Sequence, residues 1–245
     1  MVVEAPKVLQ PKQSRIIRTV LTRALELWLK SQTEQVEALQ LQIFGGKRQI
    51  LTGHIPCVSL TASHAIYQGL HVSQIQLEGT SIRINLNQIL TGKPLQLLET
   101  VPVEGQLLLL EKDLQASLRS PLLSTALTDL VNTWLQSEQS TNLAQQLQNQ
   151  PISWQQIKLD TDRLTLTGTL TGTTCQTIPV VVSAGIQLAA KSLIRLTSLK
   201  IQTHPEQSPL HVDDFVIDLG SEVKLQELLL TPGKLLCRGS LRVIP

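Results

Sequence analysis

The chain has 245 residues, a formal net charge of +2, 42% hydrophobic residues, only 16% charged residues and 2% aromatics. So mild a charge, with no basic stripe and few aromatic platforms, argues against nucleic acid as a partner, and so much aliphatic content argues against disorder. Cys57, Cys175 and Cys237 lie far apart and are odd in number, which suits small buried hydrophobes in a reducing compartment better than a disulfide framework.

Met1 to Gln13, with Pro6 and Pro11, reads as a flexible arm, polar and unlike a secretory leader. Ser14 suits a helix N-cap, and Arg15 to Gln32 follows with helical spacing. Ile16, Ile17, Val20, Leu21, Ala24, Leu25, Trp28 and Leu29 share one stripe, while Arg15, Arg18, Arg23 and Lys30 lie largely off it. From Val36 the period becomes two: Leu39, Leu41 and Ile43 alternate with Gln40 and Gln42, a strand with one wet face. Gly45-Gly46-Lys47 signals a turn. Ile50 to Leu60 reads as a second extended stretch, in which Pro56 calls for an edge or a bulge. Tyr67-Gln68-Gly69-Leu70 is a turn-like junction. Val72 to Leu77 and Ile82 to Leu86 read as two strands separated by Glu78-Gly79-Thr80, and Val103 to Leu110 as another.

Helical spacing returns over Glu111 to Leu118 and Leu122 to Leu135, with Pro121 suited to a first turn. Ser137 to Gln150 is a polar helix extension or a loop. The remainder is strand: Ile157 to Asp160, Leu164 to Leu170, then the long alternating face of Ile178, Val180, Val182, Ala184, Ile186 and Leu188. Ile194 and Leu196 share one parity and Leu199 and Ile201 the other, which predicts a bulge near Thr197 or Ser198. Phe215, Ile217 and Leu219 alternate. Val223 to Leu230 and Leu235 to Val243 flank Thr231-Pro232-Gly233-Lys234, where Pro then Gly fits a type II turn. Short turns between strands predict a mainly antiparallel sheet.

Several of these stretches resemble the LmeA-like phospholipid-binding family, once a domain of unknown function, and in particular its cyanobacterial members. The matching segments are Tyr67 to Leu70 with the strand after it, Ser81 to Asn85, Leu110 to Leu118 with Ser120 to Leu123, Asp218 to Val223, and Cys237 to Pro245. They span roughly Val36 to Pro245 and contain no catalytic signature. The resemblance implies an α+β, mainly β fold: a curved antiparallel sheet wrapped around two helical segments, elongated and barrel-like, with an apolar cavity, similar to tubular lipid-binding proteins. With the helix read from its spacing, the expectation is one such domain over residues 14–245, following the arm at 1–13. The resemblance also implies a phospholipid or similar apolar ligand, and the expected function is to carry or present that ligand at a membrane face. The apolar strand faces line the cavity on this reading: Ile178, Val180, Val182, Ile186 and Leu188, with Ile82, Ile84, Val20 and Leu25.

The residues themselves add one membrane feature. A basic amphipathic helix lies well on an anionic membrane surface, which makes Arg15, Arg18, Arg23 and Lys30 surface candidates; the same helix can simply bury its stripe and show its charges to water. No run of about 20 apolar residues spans a bilayer, so the expected location is cytoplasmic, with any contact peripheral, at the plasma or thylakoid membrane. For catalysis, His211-Val212-Asp213-Asp214 offers a metal-ligand set for a hydrolase and Asp160-Thr161-Asp162 a carboxylate pair. Neither has a second cluster at a telling distance, and Asp between strands commonly makes turns. The expectation is no enzyme, no cofactor and no metal. The alternative is a structural or interaction protein with a solid core that docks a protein partner. The oligomeric state is left open.

Overall fold

The structure, a computed structural model, describes residues 19–27, 31, 33–137, 152–171, 177–203, 209–212 and 214–245. The expected arm at 1–13, the Ser14 cap, Arg15, Arg18, Lys30, Asp213 and the polar stretch after Ser137 lie outside the described residues.

Helix α1 covers 19–27. It is followed by β1 (Gln35–Phe44), the short α2 (Lys47–Leu51), β2 (His54–Tyr67), β3 (Leu70–Arg83), α3 (Leu86–Leu90) and β4 (Val101–Leu110). Then come α4 (Glu111–Ser117) and α5 (Pro121–Ser137). A second meander follows: β5 (Ile152–Asp160), β6 (Arg163–Thr171), β7 (Thr177–Ala190) and β8 (Leu193–Gln202). The chain ends with β9 (Leu210–Val212), β10 (Phe215–Asp218), β11 (Val223–Thr231) and β12 (Lys234–Val243).

These strands make two antiparallel sheets rather than the single one expected. The first runs β1-β2-β3-β4-β12-β11 and the second β10-β8-β7-β6-β5, with β9 on β8. Both curve, and neither closes into a barrel. Each meander follows a helix, as its alternation predicts. The last hairpin, however, returns to the first sheet: β12 pairs with β4 from Lys234↔Leu110 to Val243↔Val101.

The turns follow from local chemistry. Gln68 and Gly69 both take positive φ, 49° and 74°, the two-residue connection whose twist matches a right-handed hairpin. Gly233 takes φ 76° after Pro232, as a type II turn requires. The parity switch in β8 is real: Ser198 has φ 49°, and Leu196, Leu199 and Ile201 are all buried across it. Pro56 is tolerated in an interior strand because β1 stops pairing at Phe44↔Cys57, leaving Pro56 past its end.

Two extended readings need correction. Ile50 and Leu51 belong to α2, closed by the Gly46 amide donating to Gln49 Oε1 at 3.0 Å; five residues are too few to show a helical period. The break at Glu78-Gly79-Thr80 is absent. β3 runs through it because Gly79 sits opposite Val58 on one side and Val103 on the other, within a sheet paired on both edges. The chain turns instead after Arg83, into α3, where Leu86 and Ile89 are buried.

Burial falls into two cores. Leu21 and Leu25 of α1 pack with Ile50, Ile55, Ile82, Ile84, Leu86 and Val101 over one end of the first sheet. Val131 and Trp134 of α5 pack with Trp154, Leu170, Val180 and Leu199 over the second sheet. Each fully buried aliphatic side chain contributes about 1.5–3 kcal/mol.

Helix α4 joins the two sheets through side chains. The Leu159 amide of β5 donates to Glu111 Oε2 at 2.7 Å and the Ile157 amide to Gln115 Oε1 at 2.9 Å, while Gln115 Nε2 donates to the Gln155 carbonyl at 2.6 Å. Glu111 and Gln115 thus stand in for a neighbouring strand along the edge of β5. On the other flank, the Ser73 hydroxyl of β3 donates to the Asp113 carboxylate, and the His71 amide donates to Ser117 Oγ at 2.8 Å. Ser120, just before α5, donates to the Gln68 carbonyl at 2.7 Å.

Candidate apolar binding site

The junction of the two sheets leaves an apolar cavity of about 390 Å³. One wall is α5, where Leu127, Leu130 and Trp134 follow helical spacing onto one face. The second sheet supplies Leu166, Val182, Ala184 and Ile186, with Ile194 and Ile217 beside them. The C-terminal hairpin closes the third side with Leu225, Leu228, Leu235 and Cys237, next to Leu107 of β4. Phe215 meets the Trp134 ring edge-on, with centroids 5.9 Å apart, and so holds that wall in place. No charged side chain lines the cavity. Burial pushes the Cys237 thiol above its ordinary range, as expected where a thiolate would be poorly solvated.

The cavity continues along the first sheet. A groove of about 180 Å³ shares Leu107, Leu225 and Cys237 with it and adds Ile75, Leu77 and Val223. These lining residues are only half-buried, and Leu77 also packs against the core that α1 covers.

A larger cleft of about 930 Å³ lies between the β2–β3 hairpin and helices α4 and α5. Its walls include Glu34, His71, Lys112, Gln115 and Arg119. Despite its size, an acyl chain there would lie against charged and polar side chains and strip water from them, which costs free energy that the apolar cavity does not demand. The smaller cavity is the one with the chemistry of an apolar site.

The cavity candidates from the sequence separate. Val182 and Ile186 line the cavity. Val180 shares their parity but is fully buried and outside the lining, and Ile178 packs against the same core. Leu188 is half-buried further along β7, outside the lining. Ile82, Ile84 and Leu25 are in the other core, and Val20 is 37% exposed on α1. Of the four cationic surface candidates, Arg23 is described, and it is exposed.

The lining residues of the C-terminal hairpin carry a signal in the sequence, the alternation of Leu235 with Cys237. Their position against α5 has none, because it depends on pairing with β4. Asp160 and Asp162 serve the β5–β6 turn: Asp160 Oδ1 accepts from the Thr161 amide at 2.8 Å, and Asp162 takes φ 51°. His211 Nδ1 lies 3.1 Å from the Pro209 carbonyl. Among the described residues, no three His, Cys, Asp or Glu side chains converge as a metal site, and no helix is long and apolar enough to cross a membrane.

The family model described as LmeA-like phospholipid-binding matches residues 12–240. No curated protein and no solved structure matches the chain.

Proposed function

Because the chain belongs to the LmeA-like phospholipid-binding family, we propose that the cavity between α5, the second sheet and the C-terminal hairpin holds the acyl part of a phospholipid or similar amphiphile. The protein then carries or presents that lipid at a membrane face, without catalysis. The carrying observation is the all-apolar lining of a cavity of about 390 Å³, within the roughly 300–1,000 Å³ range of ligand sites. Each ligand methylene moved there from water contributes about 0.8 kcal/mol.

The contiguous groove supports the same reading, since it gives a chain longer than the cavity an apolar path and leaves a polar headgroup room to stay in water. Native mass spectrometry of the purified protein, followed by organic extraction, is the test. The expected result is a bound lipid released on denaturation. Protein that is reproducibly empty, and that takes up no lipid from vesicles, would refute the proposal.

A further inference from the structure

The lower end of the first sheet gathers features that neither core uses. The β1–β2 connection, the β3–β4 connection and the end of β12 all emerge there, since β2 begins at His54↔Arg83 and β12 ends at Val243↔Val101. Four large apolar side chains stand exposed on this end: Phe44 (49%), Leu90 (50%), Leu98 (56%) and Ile244 (66%).

Their exposure is built in, because their neighbours anchor each segment. Ile50, Ile89 and Leu95 are buried, while Leu90 and Leu98 project outward beside them. The half-ring around Leu90 and Leu98 is pinned by the buried Asn85. Its Nδ2 donates to the Pro94 carbonyl at 3.0 Å, and its Oδ1 accepts from the Gln96 amide at 2.8 Å. The Leu98 amide donates to the Arg83 carbonyl at 2.9 Å, fixing the far end of the connection.

Exposed cations are interleaved with these apolar residues. Lys47, Arg48 and Lys93 are exposed, and none forms an ion pair among the described residues. The other two arginines of this end, Arg83 and Arg242, are offset by Glu99 and Glu222 at 3.5 and 3.0 Å. Among the described side chains of these connections, Lys47, Arg48 and Lys93 are therefore left as three cations without a carboxylate partner. Six strands with about 4.8 Å between neighbours make it about 24 Å wide.

We propose that this end is a docking surface for an anionic lipid bilayer, with Phe44, Leu90, Leu98 and Ile244 entering the interface and Lys47, Arg48 and Lys93 meeting the headgroups. A rigid, broad, basic end with separate apolar tips matches a flat, negatively charged surface that has an apolar interior. The proposal deepens the membrane half of the function proposed above and rests on that reading.

The test is co-sedimentation with vesicles of phosphatidylcholine alone and of phosphatidylcholine mixed with phosphatidylglycerol. Wild-type protein should prefer the anionic vesicles. With about 1 kcal/mol per cation near an anionic surface, the triple variant Lys47→Gln, Arg48→Gln, Lys93→Gln should bind them about a hundredfold more weakly. Leu90→Asp with Leu98→Asp should abolish binding with the unfolding midpoint unchanged. The control triple Lys158→Gln, Lys191→Gln, Lys234→Gln should bind as wild type does. Equal losses in test and control triples, or unchanged binding in both test variants, would overturn the proposal. So would a concentration-dependent dimer lost in the leucine variant without any effect on vesicle binding, which would make the surface an interface between copies. The two readings fail separately: protein that docks on vesicles but is empty and takes up no lipid sinks the cavity, and protein that loads lipid with both variants docking normally sinks the surface.

Discussion

Ala184 is the residue through which the cavity can be narrowed without disturbing its frame. It is buried, faces the cavity from the middle of β7 and pairs with Leu164 across the sheet. Ala184→Leu adds three carbons inside a space of about 390 Å³. If an acyl chain occupies that space, about three of its methylenes are displaced into water. At about 0.8 kcal/mol each this is about 2.4 kcal/mol, or roughly a fiftyfold rise in Kd. The protein itself should be no less stable, because the added carbons fill an apolar void rather than a packed position. Titration with a fluorescent phospholipid measures the first quantity and urea unfolding the second. Leu229→Ala, on the exposed face of the adjacent hairpin, should leave affinity unchanged. An unchanged Kd for Ala184→Leu, together with a stability loss of about 1–3 kcal/mol, would mean that the site is already packed by protein, and it would refute the assignment of the cavity to the ligand.

The joint between the sheets makes its own demand: Glu111→Ala leaves the buried Leu159 amide without its acceptor, which should cost about 1–3 kcal/mol in urea unfolding. Gly239→Ala would place its Cβ 2.4 Å from the Lys224 carbonyl oxygen and 2.9 Å from Leu225 Cα; the displaced β11 should lower stability by about 1–3 kcal/mol and weaken lipid binding with it. The Cys237 thiol, raised by burial, should react more slowly with a disulfide reagent at mildly alkaline pH than an unfolded control, and more slowly again with lipid bound. Unfolded thiols ionise first, so this group should favour the folded state fully at neutral pH and lose that contribution as pH climbs through and beyond the ordinary thiol range; a Cys237→Ala variant should show a shallower alkaline decline in stability.

Period and turn chemistry carried most of the strand content. Residues such as Gln68-Gly69 and Pro232-Gly233 act within a few positions, and the parity slip at Ser198 is written into adjacent side chains. The family resemblance lay in short stretches, and the structure gives the one from Leu110 to Leu118 a physical meaning: Glu111, Asp113, Gln115 and Ser117 are the groups that join the sheets. Depth was not legible. Val180 and Val182 share one face of β7, and alternation reports the face but not whether a side chain meets another residue or a void. Nor was the partner of a strand. Nothing near Leu235 signals β4, and so the cavity wall it forms was out of reach, as was the division of Leu25, Ile82 and Ile84 into a different core. The helix of Lys47–Leu51 was missed for the opposite reason, since it is too short for its period to show.

The return of the last hairpin to β4 also has a temporal side. Arg238 donates to Gln106 across 132 residues of sequence, and contacts of such separation form slowly because a long loop must close first. During synthesis, β4 is made well before the strand that will pair with its free edge, while the whole second meander is still to come. A Leu-rich edge, Leu107 to Leu110, is thus left unpaired during a vulnerable interval, when β-edge association between nascent chains competes with folding. Slow translation, early termination or a weakened hairpin should therefore appear first as aggregation during expression, before any loss of lipid binding in the molecules that complete the fold.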